Sequence, residues 1–449
     1  MAYEGRPTAQ LCDWVCSTKF EDLPPAVRKE TASLIYDQVG CMIASALLPT
    51  CQPVVKMVQA LGGPAECTIV GHPLRAPVTH AAFANGTIGH GAEIDSTGQQ
   101  GTGHYAASAV PTVLTVGQYT NATGQELVRA LALGAEVAAR LQSVMFQFAT
   151  RDLFYASNSG ALGAAVNAGV LLQLGPKQME HALGLAASGA CGLTSHHLED
   201  QHQTKSLDRG RASGAGVLSA LLASQGFQGP PEVLTTENGF FDAFLGVPQA
   251  GQHVVKDLGK AYLMRQVAYK RYPVGAPNQT PLYALLKMVQ ENHLAAEDIQ
   301  QIEVSISRGA FHVVTTNQHP SVHLETILSL AAVYGEITFD HIYDDTYRAD
   351  PRYQAFRQRV PIIIIPREGV ETRGQRLNSG ITIRTTKNEV FRQDLRYPPM
   401  NEEELKQKFR TLAGRRLEES QVLDLERQLL SIDTALDVAP LVRQLELPY

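Results

Sequence analysis

Cysteine and tryptophan are scarce in this chain of 449 residues, which contains six cysteines and one tryptophan. Cys12 and Cys16 are four positions apart and would share one face of a helix. No second pair of cysteine or histidine residues at zinc-like spacing accompanies them, so the sequence does not predict a zinc site. Six thiols spread over so long a chain indicate free cysteines in a reducing compartment. We therefore expect a cytoplasmic protein.

A strong charge of one sign and long hydrophobic runs are also lacking. The formal net charge is −6, which gives no bulk basic character for nucleic acid or for an anionic membrane surface. The apolar run at 361–366 is far too short to cross a bilayer, and the first residues show no signal-peptide pattern. We expect neither nucleic acid nor membrane as a partner. An anionic substrate would need a local cluster of cations.

Complete cofactor motifs are absent as well. The segment Gly160-Ala-Leu-Gly163 lacks the full glycine pattern of a dinucleotide site, and no strand is predicted before it. His196, His197 and His202 lie near acidic residues but lack the His-Glu-x-x-His register of a zinc enzyme. We expect no organic cofactor and no metal.

The chain does have enough apolar residues for substantial cores, with 44% hydrophobic and 18% charged residues. The first part, to about residue 258, has helical periodicity and is rich in Ala, Leu and Gly, which allows helices to pack closely. Thr123 and Glu126 have the spacing of a capping box. The segments predicted as helices are 26–46, 123–146, 161–174 and 179–187.

After about residue 260 the pattern changes to mixed strands and helices. Ile302, Val304 and Ile306 alternate with polar residues, as in a half-buried strand. Further strands are predicted at 360–365 and 380–385, and helices at 281–291, 323–334, 401–412 and 418–432. We predict a mainly α fold: a large all-helical domain from residues 1–264 and 399–449, with a smaller α+β lid domain, residues 265–398, inserted into it.

Three segments with polar and charged residues stand out by their order along the chain. They are His80-Ala-Ala-Phe-Ala-Asn-Gly-Thr-Ile-Gly-His90-Gly-Ala-Glu93-Ile-Asp95-Ser-Thr97 with His104 after it, Thr204-Lys205-Ser-Leu-Asp-Arg209-Gly210, and Lys270-Arg271-Tyr272-Pro273.

Together these segments resemble the MmgE/PrpD family, which includes 2-methylcitrate dehydratase, cis-aconitate decarboxylase and iminodisuccinate epimerase. The resemblance spans nearly the whole chain. It implies a helical domain, an inserted lid, a homodimer and a site between domain and lid that needs no organic cofactor. It also implies site roles for Thr97, His104, Lys205 and Lys270. Glu93 stands where the family usually has Asp.

Several positions depart from the family pattern. Ser96 replaces the second Asp of the usual pair, and Tyr105-Ala106 follows His104 in place of Pro-Ser. The usual histidine is missing around Phe154-Tyr155. Gly275 and Gln279 stand where cysteine or histidine is common. These losses remove acid–base groups and make a dehydratase or decarboxylase doubtful.

The reactions of this family make or quench negative charge on carbon next to a carboxylate, which requires cations and a base. We expect Lys205, His104, Lys270 and Tyr155 to be the catalytic residues. Glu93, Asp95, Thr97, Arg209 and Arg271 are the expected substrate-binding residues, with the arginines as carboxylate clamps.

Each of these residues also has a structural interpretation. Lys205 and Arg209 are compatible with an exposed helix face. Glu93 and Asp95 are two positions apart, so on a helix at most one of them would face the site. Tyr155 lies in a Ser/Asn-rich turn, where it could simply cap a helix.

The departures favour an epimerase acting on an N-substituted amino dicarboxylate, with iminodisuccinate as the specific substrate. Epimerisation moves a proton at Cα and has no leaving group to protonate, so it tolerates the lost groups. The alternative is a hydro-lyase or decarboxylase acting on a 2-methylcitrate- or aconitate-like tricarboxylate. A further alternative is an inactive carboxylate-binding protein.

If the active site needs no metal, activity should survive exhaustive chelation. We expect the purified protein to keep its full rate after dialysis against EDTA, with no added nucleotide or pyridoxal phosphate. The rate would be compared before and after dialysis. Loss of activity that one metal ion restores would contradict this expectation.

Overall fold

A computed structural model of the chain describes residues 5–98, 103–149, 155–201, 203–367 and 378–449. Most of these residues are helical, so the predicted mainly α fold class is confirmed. The helices are α1 (Pro7–Ser17), α2 (Pro25–Ser45), α3 (Gln52–Leu61), α4 (Val78–Ile88), α5 (Ala106–Thr120), α6 (Gly124–Phe148), α7 (Tyr155–Leu171), α8 (Pro176–Ser188), α9 (Gln203–Ser224), α10 (Phe240–Leu245), α11 (Gln279–Glu291), α12 (Arg308–Thr316), α13 (Leu324–Tyr334), α14 (Phe339–Tyr343), α15 (Thr346–Ala349), α16 (Pro351–Arg359), α17 (Glu402–Ala413), α18 (Glu419–Leu430) and α19 (Ala439–Arg443). The strands are β1 (Cys67–Thr68), β2 (Arg75–Ala76), β3 (Thr97–Gly98), β4 (Val267–Ala268), β5 (Ile299–Ser307), β6 (Ile362–Arg367), β7 (Asn378–Thr385) and β8 (Val390–Arg396).

The long helices begin at the start signals in the sequence. The Thr123 hydroxyl accepts the Glu126 backbone N–H at 3.2 Å, and the Glu126 carboxylate accepts the Thr123 N–H at 2.8 Å, which completes the capping box of α6. Helix α2 starts with Pro25, at a position where no helical hydrogen bond is lost. Both predicted helices are thus confirmed.

The C-terminal helices pack on the N-terminal part of the chain. The rings of Tyr36 on α2 and Phe409 on α17 stack with centroids 4.2 Å apart. Arg410 on α17 then pairs with Glu426 on α18. One hydrophobic core therefore contains residues from both ends of the chain, from Leu11 to Val267 and from Leu405 to Leu447.

Helices α4 and α9 approach each other at glycines. A Cβ added to Gly210 would lie 2.2 Å from the Thr87 hydroxyl and 2.5 Å from the Phe83 carbonyl oxygen. A Cβ on Gly86 would lie 2.7 Å from the Arg209 carbonyl oxygen. This close contact holds the first turns of α9, with Lys205, against the end of α4.

The predicted strands after residue 260 form a four-stranded sheet in the order β6-β5-β7-β8. Strand β5 pairs in parallel with β6 and antiparallel with β7, so Ile302 lies between Ile362 and Ile383. The alternation along β5 turns Ile302, Val304 and Ile306 inward. Helix α11 packs on the sheet at β7 and β8 and against α13, and residues of these elements form a second hydrophobic core.

The two cores meet at a small third cluster. It joins Cys41, Ala92 and Ile94 to Phe339 of α14. The second core extends from Val274 to Ile383, while Val267 packs in the first. The boundaries at 264/265 and 398/399 stay a prediction. Within the described ranges, no helix is long and apolar enough to span a membrane.

The α4–α9 contact leads to a stability prediction. Gly210→Ala should destabilise the protein by about 1–3 kcal/mol, since the added methyl has no room between α4 and α9. Thermal unfolding would measure this change. Gly189→Ala is the matched control, because a Cβ there meets nothing closer than 3.6 Å. Equal melting temperatures for both variants would mean that the contact is not close-packed.

Candidate active site

A buried loop at the end of α4 carries the two acidic residues of the first motif. Glu93 and Asp95 are 2% and 0% exposed. Helix α2 supports the loop, because the Gln38 side-chain amide donates to the Gly89 carbonyl at 2.6 Å. The loop is irregular, so the helical argument that at most one of the two carboxylates faces the site does not apply to it. Both carboxylates point into one cluster.

Glu93 accepts contacts from two lysines that are distant in sequence. The Lys205 ammonium, on α9, donates to Oε1, and the Lys270 Nζ lies 3.0 Å from Oε2. The pairing of β3 with β4, with Thr97 opposite Ala268, brings Lys270 to this position. The Glu93 backbone N–H donates to the Tyr343 hydroxyl at 2.7 Å, so a residue of α14 also reaches the loop.

Asp95 lies between two histidines. Its Oδ2 is 2.7 Å from His104 Nδ1, and its Oδ1 is 2.8 Å from His90 Nδ1. Lys270 Nζ lies 3.6 Å from the same Oδ1. Burial alone would raise the pKa of the Asp95 carboxyl, but His104, His90 and Lys270 together hold it well below its usual range. Asp95 is therefore ionised at neutral pH.

His104 is arranged as a neutral base. An ionised carboxylate only accepts hydrogen bonds, so the Asp95 contact places the proton on His104 Nδ1 and leaves a lone pair on Nε2. Burial lowers the pKa of His104 to about 3, with Lys270 and Lys205 acting in the same direction and Asp95 opposing them. The imidazole is therefore uncharged at neutral pH, with its Nε2 lone pair unprotonated.

The surroundings of Lys205 shift its pKa. Burial lowers this pKa, the Lys270 ammonium adds to the effect, and Glu93 opposes it. The Lys205 side chain is 12% exposed, whereas that of Lys270 is 1% exposed. Lys205 is thus a protonated amine that releases its proton more readily than a surface lysine and still has access to a ligand.

Two further predicted residues surround the cluster. Arg209 lies one turn after Lys205 on α9, is fully buried, and has its pKa lowered by burial to about 10, so it remains charged. Its charge acts on both Asp95 and Glu93. Thr97 is 4% exposed and starts β3. The structure rules out an exposed face for Arg209.

Arg271 requires a correction, because the structure does not bring it to the cluster. Its guanidinium forms a bidentate pair with Glu404 and donates to the Pro398 carbonyl at 2.7 Å. It also lies over the rings of Tyr283 and Tyr397. These contacts occupy the planar guanidinium group, so Arg271 joins the segment before α11 to α17 and is not available in this structure to clamp a substrate carboxylate. The Tyr155 side chain lies outside the described residues.

His90, Asp95 and His104 also offer three possible metal ligands within 4.8 Å of one another. The imidazole–carboxylate distances of 2.7 and 2.8 Å are shorter than the roughly 3.3 Å that separates two ligands of a tetrahedral zinc ion. Lys270 adds a positive charge next to Asp95. The arrangement fits a hydrogen-bonded pair better than a cation site. The absence of a metal stays a prediction.

The candidate set from the sequence omits His90, Tyr343 and Lys408, which the structure brings to the cluster or its loop. His90 belongs to the first motif, and its spacing of five from Asp95 was a usable signal. Tyr343 and Lys408 contact the loop backbone from distant helices. No local pattern identifies contacts of that kind.

Comparison with known proteins shows the family. A family model for the MmgE/PrpD N-terminal domain matches residues 9–253, and a model for the MmgE/PrpD C-terminal domain matches residues 272–433. The chain belongs to the MmgE/PrpD family.

Several curated relatives support this assignment. A cis-aconitate decarboxylase from Aspergillus terreus (strain NIH 2624 / FGSC A1156) is 24% identical over 486 residues, covering 98% of this chain and 96% of the relative. Human cis-aconitate decarboxylase is 30% identical over 215 residues, 46% of this chain and 44% of the relative. A 2-methylcitrate dehydratase from Cupriavidus necator is 28% identical over 209 residues, 44% of this chain and 42% of the relative.

Lys205 provides a direct test of this site. We expect Lys205→Ala to reduce kcat by ~10²-fold or more, the scale of an acid–base group. Lys205→Arg should not restore kcat, because a guanidinium keeps its proton. Steady-state kinetics would give kcat for both variants.

The matched control is Lys260→Ala, which removes an exposed lysine and should leave kcat unchanged. Near-normal turnover in Lys205→Arg would mean that Lys205 only binds charge.

Proposed function

We propose that this protein is a lyase that decarboxylates an aconitate-like tricarboxylate without an organic cofactor. The observation that carries the proposal is the sharing of Glu93 by Lys205 and Lys270 next to the His104–Asp95 pair. The expectation of an epimerase was based on lost acid–base groups. The relatives give more support to the lyase alternative, since those that cover nearly the whole chain are named as cis-aconitate decarboxylases or a similar protein.

The charges of the cluster suit a polycarboxylate. Three cations, on Lys205, Lys270 and Arg209, stand against two carboxylates, and His104 is neutral. A substrate carboxylate that reaches Lys205 would therefore meet an excess of positive charge. The buried surroundings strengthen this attraction because the local dielectric is low.

The same groups can perform decarboxylation. The bond between carbon and one carboxylate breaks, CO2 leaves, and the electron pair is delocalised through the adjacent double bond towards a second carboxylate held by the lysines. A proton from the Lys205 ammonium then forms a C–H bond at carbon. The lowered pKa of Lys205 favours this transfer. Solvent restores the proton on Lys205, so one CO2 leaves for each proton taken up.

Decarboxylation also requires fewer groups than dehydration. Loss of hydroxide needs an acid at the leaving oxygen, whereas CO2 leaves without a proton. Gly275 has no side chain, and Gln279 uses its amide to bind the Tyr272 and Val274 carbonyls. Neither position supplies an acid. The lost groups that first favoured an epimerase are therefore compatible with a decarboxylase.

An epimerase acting on iminodisuccinate is the second candidate. The observation that favours it is the neutral His104 imidazole, whose Nε2 lone pair would accept a Cα proton, in the same cluster as the Lys205 ammonium, which would return one. Such a reaction uses the same cations. It differs in its outcome, because the carbon skeleton and the number of carboxylates are unchanged.

The two candidates can be separated by incubating the protein with cis-aconitate, 2-methylcitrate and iminodisuccinate in deuterium oxide. We expect CO2 release from cis-aconitate and one deuterium at carbon in the product, because the proton donor exchanges with solvent. NMR and carbon dioxide detection would follow the reaction.

Lys270→Met is the negative control in this assay. Cα–H exchange in iminodisuccinate without loss of CO2 would replace the proposal with the epimerase. Loss of water from 2-methylcitrate alone would identify a hydro-lyase. Binding without any turnover would support an inactive carboxylate-binding protein.

A further inference from the structure

We propose that Lys408, paired with Asp37, is a positioning residue that fixes the orientation of Glu93 and Asp95. Lys408 lies on α17, near the C-terminal end of the chain, and Asp37 lies on α2. This inference rests on the proposed function, because it assigns Lys408 a role through the two carboxylates of that site. Lys408 itself does not contact the acid–base groups.

Lys408 contacts the backbone of the loop that carries Glu93 and Asp95. Lys408 Nζ is 2.5 Å from Asp37 Oδ1 and donates to the Ile94 carbonyl oxygen at 2.8 Å. The Cys41 thiol, one turn after Asp37 on α2, lies 3.6 Å from the same oxygen. Ile94 is the residue between Glu93 and Asp95. Lys408 and Cys41 therefore contact the backbone carbonyl between the two residues whose carboxylates contact the cations of the site.

The position of this carbonyl determines where both carboxylates point. The peptide group after Ile94 is planar and includes the Asp95 nitrogen, so its rotation moves the Asp95 backbone and the Ile94 carbonyl together. Rotation about the Ile94 backbone would move Glu93 and Asp95 relative to each other. The Lys408 hydrogen bond opposes this rotation.

Lys408 and Asp37 are both buried, so each needs the other as a partner. The side chains of Lys408 and Asp37 are 5% and 1% exposed. Water therefore cannot replace the ammonium if it is removed, and both the Asp37 carboxylate and the Ile94 carbonyl would lose their cationic partner. The ammonium has three N–H donors, and the backbone acceptor that one of them uses is the carbonyl between the two site carboxylates.

The test separates positioning from stability with two variants. Lys408→Met leaves the Asp37 charge buried and should lower both the melting temperature and kcat. The double variant Asp37→Asn with Lys408→Met removes both charges, so much of the melting temperature should return. We expect kcat to stay about 10- to 100-fold low in the double variant, with KM changed much less, because the Ile94 carbonyl lacks the Lys408 donor and keeps only the weak Cys41 thiol. Lys406→Met removes a neighbouring charge from the same helix and serves as the control.

A second measurement does not depend on turnover. Nitrogen-15 NMR of labelled histidines, with His104 assigned by the His104→Asn variant, reports which ring nitrogen carries the proton. We expect a proton fixed on Nδ1 in the wild type and a mixture of the two forms in the double variant. If the wild type turns over none of the three acids, the proposed function fails while this measurement still tests Lys408. Recovery of both kcat and the wild-type His104 spectrum in the double variant would overturn the positioning role.

Discussion

The structure of this site depends on the burial of two carboxylates on one loop. Glu93 and Asp95 are almost completely inaccessible, and carboxylates so deeply buried need positively charged or hydrogen-bonding partners. Two of those partners come from distant segments, Lys205 on α9 and Lys270 after β4, whereas His104 follows Asp95 by nine residues. The requirement for charge compensation therefore connects parts of the chain that are 112 and 177 residues apart from Glu93.

The same burial gives these groups their chemical character. It lowers the pKa of His104 and of Lys205, so one is a neutral base and the other a more acidic ammonium than in water. The fold thus brings a proton acceptor, beside Asp95, and a proton donor, beside Glu93, into one buried cluster. Epimerisation would use both groups, whereas the proposed decarboxylation would use the donor alone. The two reactions differ in the bond of the substrate that breaks, a bond to CO2 in one and a Cα–H bond in the other. The same residues are therefore compatible with either reaction.

The positions that depart from the family pattern have structural roles here. Tyr105, which follows His104, is buried and donates from its hydroxyl to the Met264 carbonyl at 2.6 Å. Gln279 binds backbone carbonyls before α11. Arg271 is similarly held by Glu404 and the Pro398 carbonyl. Polar residues near a motif can therefore support backbone turns, and motif proximity alone did not distinguish this role from substrate binding.

The sequence by itself determined several of the long helices, the strands β5, β6 and β7 and, through the family resemblance, most of the cluster. Capping residues and apolar periodicity are local signals, so α2, α6 and β5 could be predicted from their own residues. Glu93, Asp95, His104, Lys205 and Lys270 could be named because their three motifs resemble those of the family. Only the tertiary structure decided that Arg271 lies on Glu404 and that Tyr343 and Lys408 contact the loop of Glu93 and Asp95. Those contacts join residues 250 and 314 positions apart, and such pairings depend on how the helices pack.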